Sequence, residues 1–249
     1  PDRSIGSSRY NFAPDNYLII PAERIALNTS GHYQINDNVR LNVLMTYVNS
    51  RTEVQLAPTP ATGLTVSLTP AMQTLISTNH PDLWTALQSR TNPLAPFVED
   101  RRATEVGTRN GYFESNSFYF IASLEGSLGD NWDWSLSGSY GQVLFSSRGV
   151  NSVNATALRQ GLAGCQTTAG APLGNAALPG CVPLDIFGPG TLTPAMTSFI
   201  RVNTFSNTVV EENRVSGFVR GDLFTLPAGP VSSVFGFEYR DDYAELAVD

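Results

Sequence analysis

The chain has 249 residues, a net charge of −7 and a pI near 4.8, which excludes the basic face that nucleic-acid binding requires. Only 15% of residues are charged and the mean hydropathy is −0.10, yet no stretch approaches the roughly 18 consecutive apolar residues of a membrane helix. A helical span is therefore excluded, whereas strands, whose apolar residues alternate, can still cross a membrane.

In chain order, the first element is an amphipathic hairpin. Ile25, Leu27, Thr29, Tyr33 and Ile35 alternate with Ala26, Asn28, Ser30, His32 and Gln34. After the short turn Asn36-Asp37-Asn38, Val39, Leu41, Val43, Met45 and Tyr47 alternate with Arg40, Asn42 and Thr46, while Leu44 and Val48 blur the polar face. A long connection, residues 57–100, follows. Pro58 and Pro60 are expected to stop ladder pairing there. Thr69-Pro70 before AMQTLIS and Pro81 before DLWTALQSR predict two short helices. Leu83, Trp84 and Phe97 fit either a small core or part of a ligand pocket.

The second hairpin alternates Phe118, Phe120, Ala122 and Leu124 with Tyr119, Ile121, Ser123 and Glu125, and turns at Gly129-Asp130-Asn131. Its return strand sets Trp132, Trp134, Leu136, Tyr140 and Leu144 against Asp133, Ser135, Ser137, Ser139 and Val143. A second long connection, 149–206, carries two more helical stretches, VNATALRQGLA and TPAMTSFIR, and both cysteines. Their spacing rules out a CxxC redox pair, and a metal site would have to draw on the distant His32 and His80. A Cys165–Cys181 disulfide, worth on the order of 3 kcal/mol for a loop of about 15 residues, competes with two free thiols. The third hairpin turns at Pro227-Ala228-Gly229-Pro230 and places Val231, Phe235, Phe237 and Tyr239 on one face, with Glu238 and Arg240 on the reverse.

Short turns on one side and long connections on the other predict an all-β, antiparallel up-and-down transmembrane β-barrel wall of about three long hairpins, with short periplasmic turns and long extracellular loops containing short helices. Aromatics beside the turns, Tyr33, Trp132, Trp134 and Phe224, match a girdle at the lipid boundary. A soluble β-sandwich shares the alternation, with Trp132 and Trp134 as its core, but its strands are usually about 5 or 6 residues long. Three hairpins cannot close a barrel, and the chain shows no signal peptide, so an internal fragment is expected.

The run YNFAPDNYLIIPAERIALNTSGHYQINDNVRLNVLMTYVNSRTEVQLAPTP, the RRATEVGTR strand at 101–109, CVPLDIFGPGTLTP at 181–194 and GDLFTLPAGPVSSVFGFEYR at 221–240 resemble, in order, the barrel region of TonB-dependent outer-membrane receptors. The resemblance covers essentially the whole chain, so that residues 1–249 read as part of one such barrel domain. It implies a barrel of about 22 strands closed by an N-terminal plug, neither the plug with its TonB box nor the closing strand lying in this chain. It further implies active uptake of a scarce nutrient of the siderophore, cobalamin or oligosaccharide class across the cell outer membrane of a Gram-negative bacterium. The partners it implies are the TonB complex through the plug, outer-membrane lipid and lipopolysaccharide, and a small nutrient ligand, with no nucleic acid and no cofactor.

Catalysis is not expected: GxSxG, HExxH and a phosphate-cradling glycine loop are absent from the sequence, and adjacent acids such as Glu211-Glu212 point to opposite faces of a strand. A passive porin and a secreted all-β carbohydrate-binding or adhesion module are the rival readings. Trp84, Arg90, Arg101, Arg102, Arg148 and Arg201 lie in or beside the long loops. The arginines there can meet an anionic ligand, contact lipopolysaccharide phosphates or pair with nearby acids.

Overall fold

The computed structural model describes residues 10–166 and 178–249. Six long strands, β1 (Ala22–Asn36), β2 (Val39–Leu56), β5 (Arg109–Leu128), β6 (Trp132–Val153), β7 (Arg201–Leu226) and β8 (Gly229–Val248), form one sheet in the order β1-β2-β5-β6-β7-β8. Strands adjacent in the sheet are thus consecutive along it, the meander that tight hairpins dictate, and the fold is mostly β with antiparallel pairing. The sheet is open: β1 and β8 are its edges.

The turns fall where the polar clusters predict them. Asp37-Asn38 joins β1 to β2, with the Asn38 amide donating to Asn36 Oδ1 at 2.9 Å. Gly129, at φ 64°, opens the second turn, and Pro227-Ala228 make the third. The strands are longer than the alternation marked, 26 residues in β7 for example, because the ladder continues past the amphipathic stretch.

The long connections hold structure that composition did not reveal. Pro60 begins a strand, β3 (Pro60–Val66), instead of ending pairing, and β3 pairs antiparallel with β4 (Phe97–Arg102) as a separate two-stranded sheet. A first strand residue has no need to donate, so proline is tolerated there. The expected strand over 101–109 is correspondingly broken: β4 stops at Arg102, residues Thr104–Val106 make a single 3₁₀ turn, and Gly107 at φ 99° redirects the chain into β5. All four predicted helices are present, α1 (Pro70–Asn79), α2 (Pro81–Gln88), α3 (Ala155–Leu162) and α4 (Pro194–Ile200). Thr69, Asn154 and Thr193 cap α1, α3 and α4 by accepting from amides of the first turn.

The chain divides into two compact units. A sheet unit comprises Ile20–Glu53, Tyr112–Arg148 and Phe205–Asp249. A loop unit comprises Val54–Gly111 and Gly149–Thr204 with the residues up to Ile19. The two long connections therefore fold as one body around a shared core. Val66 and Met72 from the first meet Leu162, Leu184 and Ile200 from the second, all essentially inaccessible to water. A second cluster, Leu68, Ile76 and Leu87, is covered by Leu83, Trp84, Phe97 and Phe187. Every fully buried apolar side chain among the described residues belongs to the loop unit. The sheet unit has none.

Candidate functional site

Pairing fixes which side chains share a face of the sheet. Leu27 lies opposite Tyr47, Tyr33 opposite Leu41, Val215 opposite Tyr239 and Val219 opposite Phe235, all on one face. This face is broadly apolar and open: Leu27 is 62% exposed, Phe237 59% and Tyr239 65%. Large rings lie over glycines of the neighbouring strand. A Cβ on Gly126 would come within 3.0 Å of Trp134 Nε1 and one on Gly217 within 2.9 Å of Phe237 Cε1, while one on Gly221 would run into the Trp132 ring. The glycines give those rings a flat seat that a side chain would deny.

Away from the turns, the same face ends in a polar belt. The Tyr47 hydroxyl donates to Asn116 Oδ1 at 3.1 Å, and Asn49 Nδ2 donates to both Asn116 Oδ1 at 2.7 Å and Glu114 Oε1 at 3.0 Å. Arg51 pairs with Glu114 at 3.1 Å, and Gln142 Nε2 donates to Glu211 at 2.6 Å. At the other end Tyr33, Trp132, Trp134 and Phe224 flank the short turns. The apolar stretch is thus bracketed by aromatics on one side and hydrogen-bonded polar groups on the other.

The opposite face carries four ion pairs, with Arg24 and Glu212 on it outside those pairs. Arg40 meets Glu125, which also accepts from Asn42 Nδ2 at 2.9 Å. Arg220 pairs with Asp133 at 3.1 Å, Arg214 with Glu238, and Arg240 with Asp242 at 3.0 Å. Ser137 and Ser216 hydroxyls are 2.9 Å apart. A recess of about 380 Å³ on this face is lined by Arg40, Glu125, Asp133, Ser135 and Arg220 among others. These pairs are exposed, so each contributes little to stability. Their effect is to leave a hydrophilic face without excess charge at those positions.

In the loop unit, Cys165 and Cys181 are disulfide-bonded, with Cα atoms 5.8 Å apart. The bond joins Cys165, three residues past the end of α3, to the segment leading to Leu184, whose amide donates to Gly161 O at 3.1 Å. Residues 167–177 of the intervening segment lie outside the described residues.

The loop residues singled out in the sequence do not converge. Trp84 packs on the Leu68–Ile76–Leu87 cluster. Arg90 donates to the Pro93 and Ala95 carbonyls at 2.9 and 2.7 Å and lies over the Phe97 ring. Arg101 pairs with Glu105 and donates to Thr191 Oγ1 at 2.8 Å; burial pulls its guanidinium below the ordinary value, opposed by Glu105 and Asp185. Arg102 donates to Pro58 O at 2.8 Å and lies over the Tyr10 and Phe12 rings, and Arg201 donates to Val106 O at 3.1 Å. Arg101 and Arg201 tie one long connection to the other, whereas Arg90 and Arg102 brace the first connection itself. Arg148 belongs to the sheet unit, where it borders a recess with Arg51, Glu23 and Glu114.

The polar centre of the loop unit escaped sequence reasoning. Asp185, only 4% exposed, accepts from His80 Nε2 at 2.7 Å, Asn79 Nδ2 at 3.0 Å and the Phe187 amide at 3.3 Å, and its carbonyl accepts from Thr191 Oγ1 at 2.7 Å. His80 and Asp185 are 105 residues apart in sequence, a separation over which no local pattern operates. The Phe187 ring meets His80 edge-on at 5.5 Å, closing the site to one side. With its acceptors saturated, Asp185 is a structural clamp between the two long connections. Among known proteins, no family model matches this sequence and no curated protein is significantly similar to it.

Proposed function

We propose that the six-stranded sheet is a section of the wall of an outer-membrane β-barrel and that the chain serves TonB-dependent uptake of a scarce nutrient. The observation that carries this reading is a sheet with no buried core whose one face is an exposed apolar band and whose other face bears paired charges. Exposed apolar area of this extent on a soluble monomer is untenable unless something covers it. Lipid covers an alternating strand on one side only, with water on the other.

The dimensions agree with a bilayer. From Trp132 to Tyr140 the apolar face of β6 covers about 27 Å of strand, which at a tilt of 35–45° is about 20 Å of height, against the ~25 Å band of outer-membrane barrels. The tyrosines and hydrogen-bonded amides of the polar belt fall where one interface would lie, and the tryptophans where the other would. Two unpaired edges, β1 and β8, call for further strands, as a barrel provides. The ordered resemblance to TonB-dependent receptors adds the energy source and the nutrient class. Recognition and release involve no covalent step.

The test is to express the intact protein in Gram-negative cells with and without a functional TonB system, fractionate the envelope, and follow growth on limiting nutrients. Recovery in the outer membrane with TonB-dependent growth supports the reading. Outer-membrane recovery with TonB-independent permeation would make the protein a passive channel, and recovery as a soluble species would sink the barrel altogether.

A further inference from the structure

Two arginines of the loop unit are anchored on neighbouring residues of the first connection. Arg102, at the end of β4, donates from Nη1 to Pro58 O at 2.8 Å, and Arg109, where β5 begins, donates from Nε to Ala57 O at 2.9 Å. The Ala57-Pro58 pair that receives them is buried, and both arginines are half-buried. A guanidinium has five N–H donors, and each of these two gives only one to an acceptor among the described residues. Neither meets a carboxylate there, whereas Arg101, one residue before Arg102, holds Glu105. A cation drawn partly out of water without a counter-charge is costly, and an oxyanion on its open donors relieves that cost.

Aromatic rings set what else the anion carries. The Arg102 guanidinium lies 5.3 Å from the centroid of the Tyr10 ring and 5.9 Å from that of Phe12, and the rings are 39% and 53% exposed. Their segment is tied to the same stretch as the arginines: the Ala57 amide donates to Asn16 Oδ1 at 2.7 Å, and Gln55 Nε2 to Asp15 O at 3.0 Å. Two acids stand near and are engaged by other donors. Asp15 accepts from the Tyr10 hydroxyl, and Asp100 from the Gly63 amide at 2.7 Å. Exposed rings beside guanidinium donors match a flat apolar body bearing a planar oxyanion, for which the arginine fork is the natural partner.

We propose that Tyr10, Phe12, Arg102 and Arg109 form a binding site for an aromatic carboxylate on the loop unit. All four belong to that unit, so the site does not depend on what covers the sheet or on the transporter reading.

The experiment follows benzoate by saturation-transfer NMR on the intact protein in detergent micelles, with benzamide, inorganic phosphate and empty micelles in parallel. Saturable binding of benzoate is expected, with a Kd of about 1 mM, phosphate weaker and benzamide no different from empty micelles. Arg102→Gln and Arg109→Gln, which each keep an N–H for the carbonyl, are expected to weaken benzoate about tenfold at unchanged protease protection of residues 57–108. Phe12→Ala, which removes an exposed ring, is expected to weaken benzoate about fivefold and leave phosphate as it was. Absence of saturable benzoate binding, equal binding of benzamide, or indifference to both glutamine variants overturns the site. Benzoate and phosphate weakened alike by Phe12→Ala would overturn the aromatic part of the assignment.

Discussion

At the scale of single residues, two neighbours on β6 separate the faces most sharply. Leu136 Cδ1 lies 3.3 Å from where a Cβ on Gly217 would sit, on the apolar side, whereas Ser137 Oγ meets Ser216 Oγ on the other. Leu136→Arg is expected to cost about 2–4 kcal/mol when the protein is folded into lipid vesicles and titrated with denaturant, and Ser137→Arg little, since its side chain enters water. Equal costs at the two positions would undo the assignment of faces. Asp185 makes the second residue-scale case. Asp185→Ala would strand the His80, Asn79 and Phe187 donors inside the loop unit, at a cost of about 3 kcal/mol, and Asp185→Asn, which keeps an acceptor, should cost less. Protease protection of residues 57–108 reads the difference. Unchanged protection in Asp185→Ala would mean the clamp carries no stability.

At the scale of elements, alternation and capping chemistry are local, and what they dictate could be read directly. Each hairpin turn falls at its Asn, Asp, Gly or Pro cluster, and Thr69, Asn154 and Thr193 start helices where their side-chain oxygens can accept first-turn amides. The β3–β4 sheet was not legible, because Pro60 reads as a stop unless its role as a first strand residue is known, and because its pairing to Arg102 spans a whole connection with two helices inside it. The arginines of the loops were legible as residues but not as partners: Arg101 and Arg201 are satisfied by Thr191 and the Val106 carbonyl, both about 90 residues distant. The disulfide sits between these cases. Its spacing raised the pairing, and its place in the fold gives it a purpose, tying the end of α3 to the Leu184 chain that fills the core. Cys165→Ser with Cys181→Ser is expected to lower the protease protection of the loop unit by about 3 kcal/mol while the long strands keep their far-ultraviolet β signal. Loss of the sheet signal as well would move the disulfide's role from the loop unit to folding of the whole chain.

At the scale of the whole molecule, each of the two units is ordered by its own physics. The loop unit buries Val66, Met72, Ile76, Leu162, Leu184 and Ile200 and owes its order to that core, a clamp at Asp185 and a disulfide. The sheet unit has ladder hydrogen bonds, exposed ion pairs of small worth and aromatic rings seated on glycines, and it leaves Ile25, Leu27, Phe235, Phe237 and Tyr239 open. Such a sheet needs an apolar cover on one side, lipid in the function proposed above, because the apolar area it leaves exposed is what normally offsets the entropy of ordering strands. Chain dissolved in urea is therefore expected to precipitate on dilution into buffer and to stay dispersed, with a β-rich circular-dichroism spectrum, on dilution into detergent micelles. The loop unit, with its own core, should not drive that difference, so mutating Phe235, Phe237 and Tyr239 to serine should reduce the precipitation whereas Asp185→Ala should not. A monomer that stays soluble and β-rich in plain buffer would mean that protein, not lipid, covers the apolar face, and a self-contained all-β binding module would then explain the same alternation better than a barrel wall.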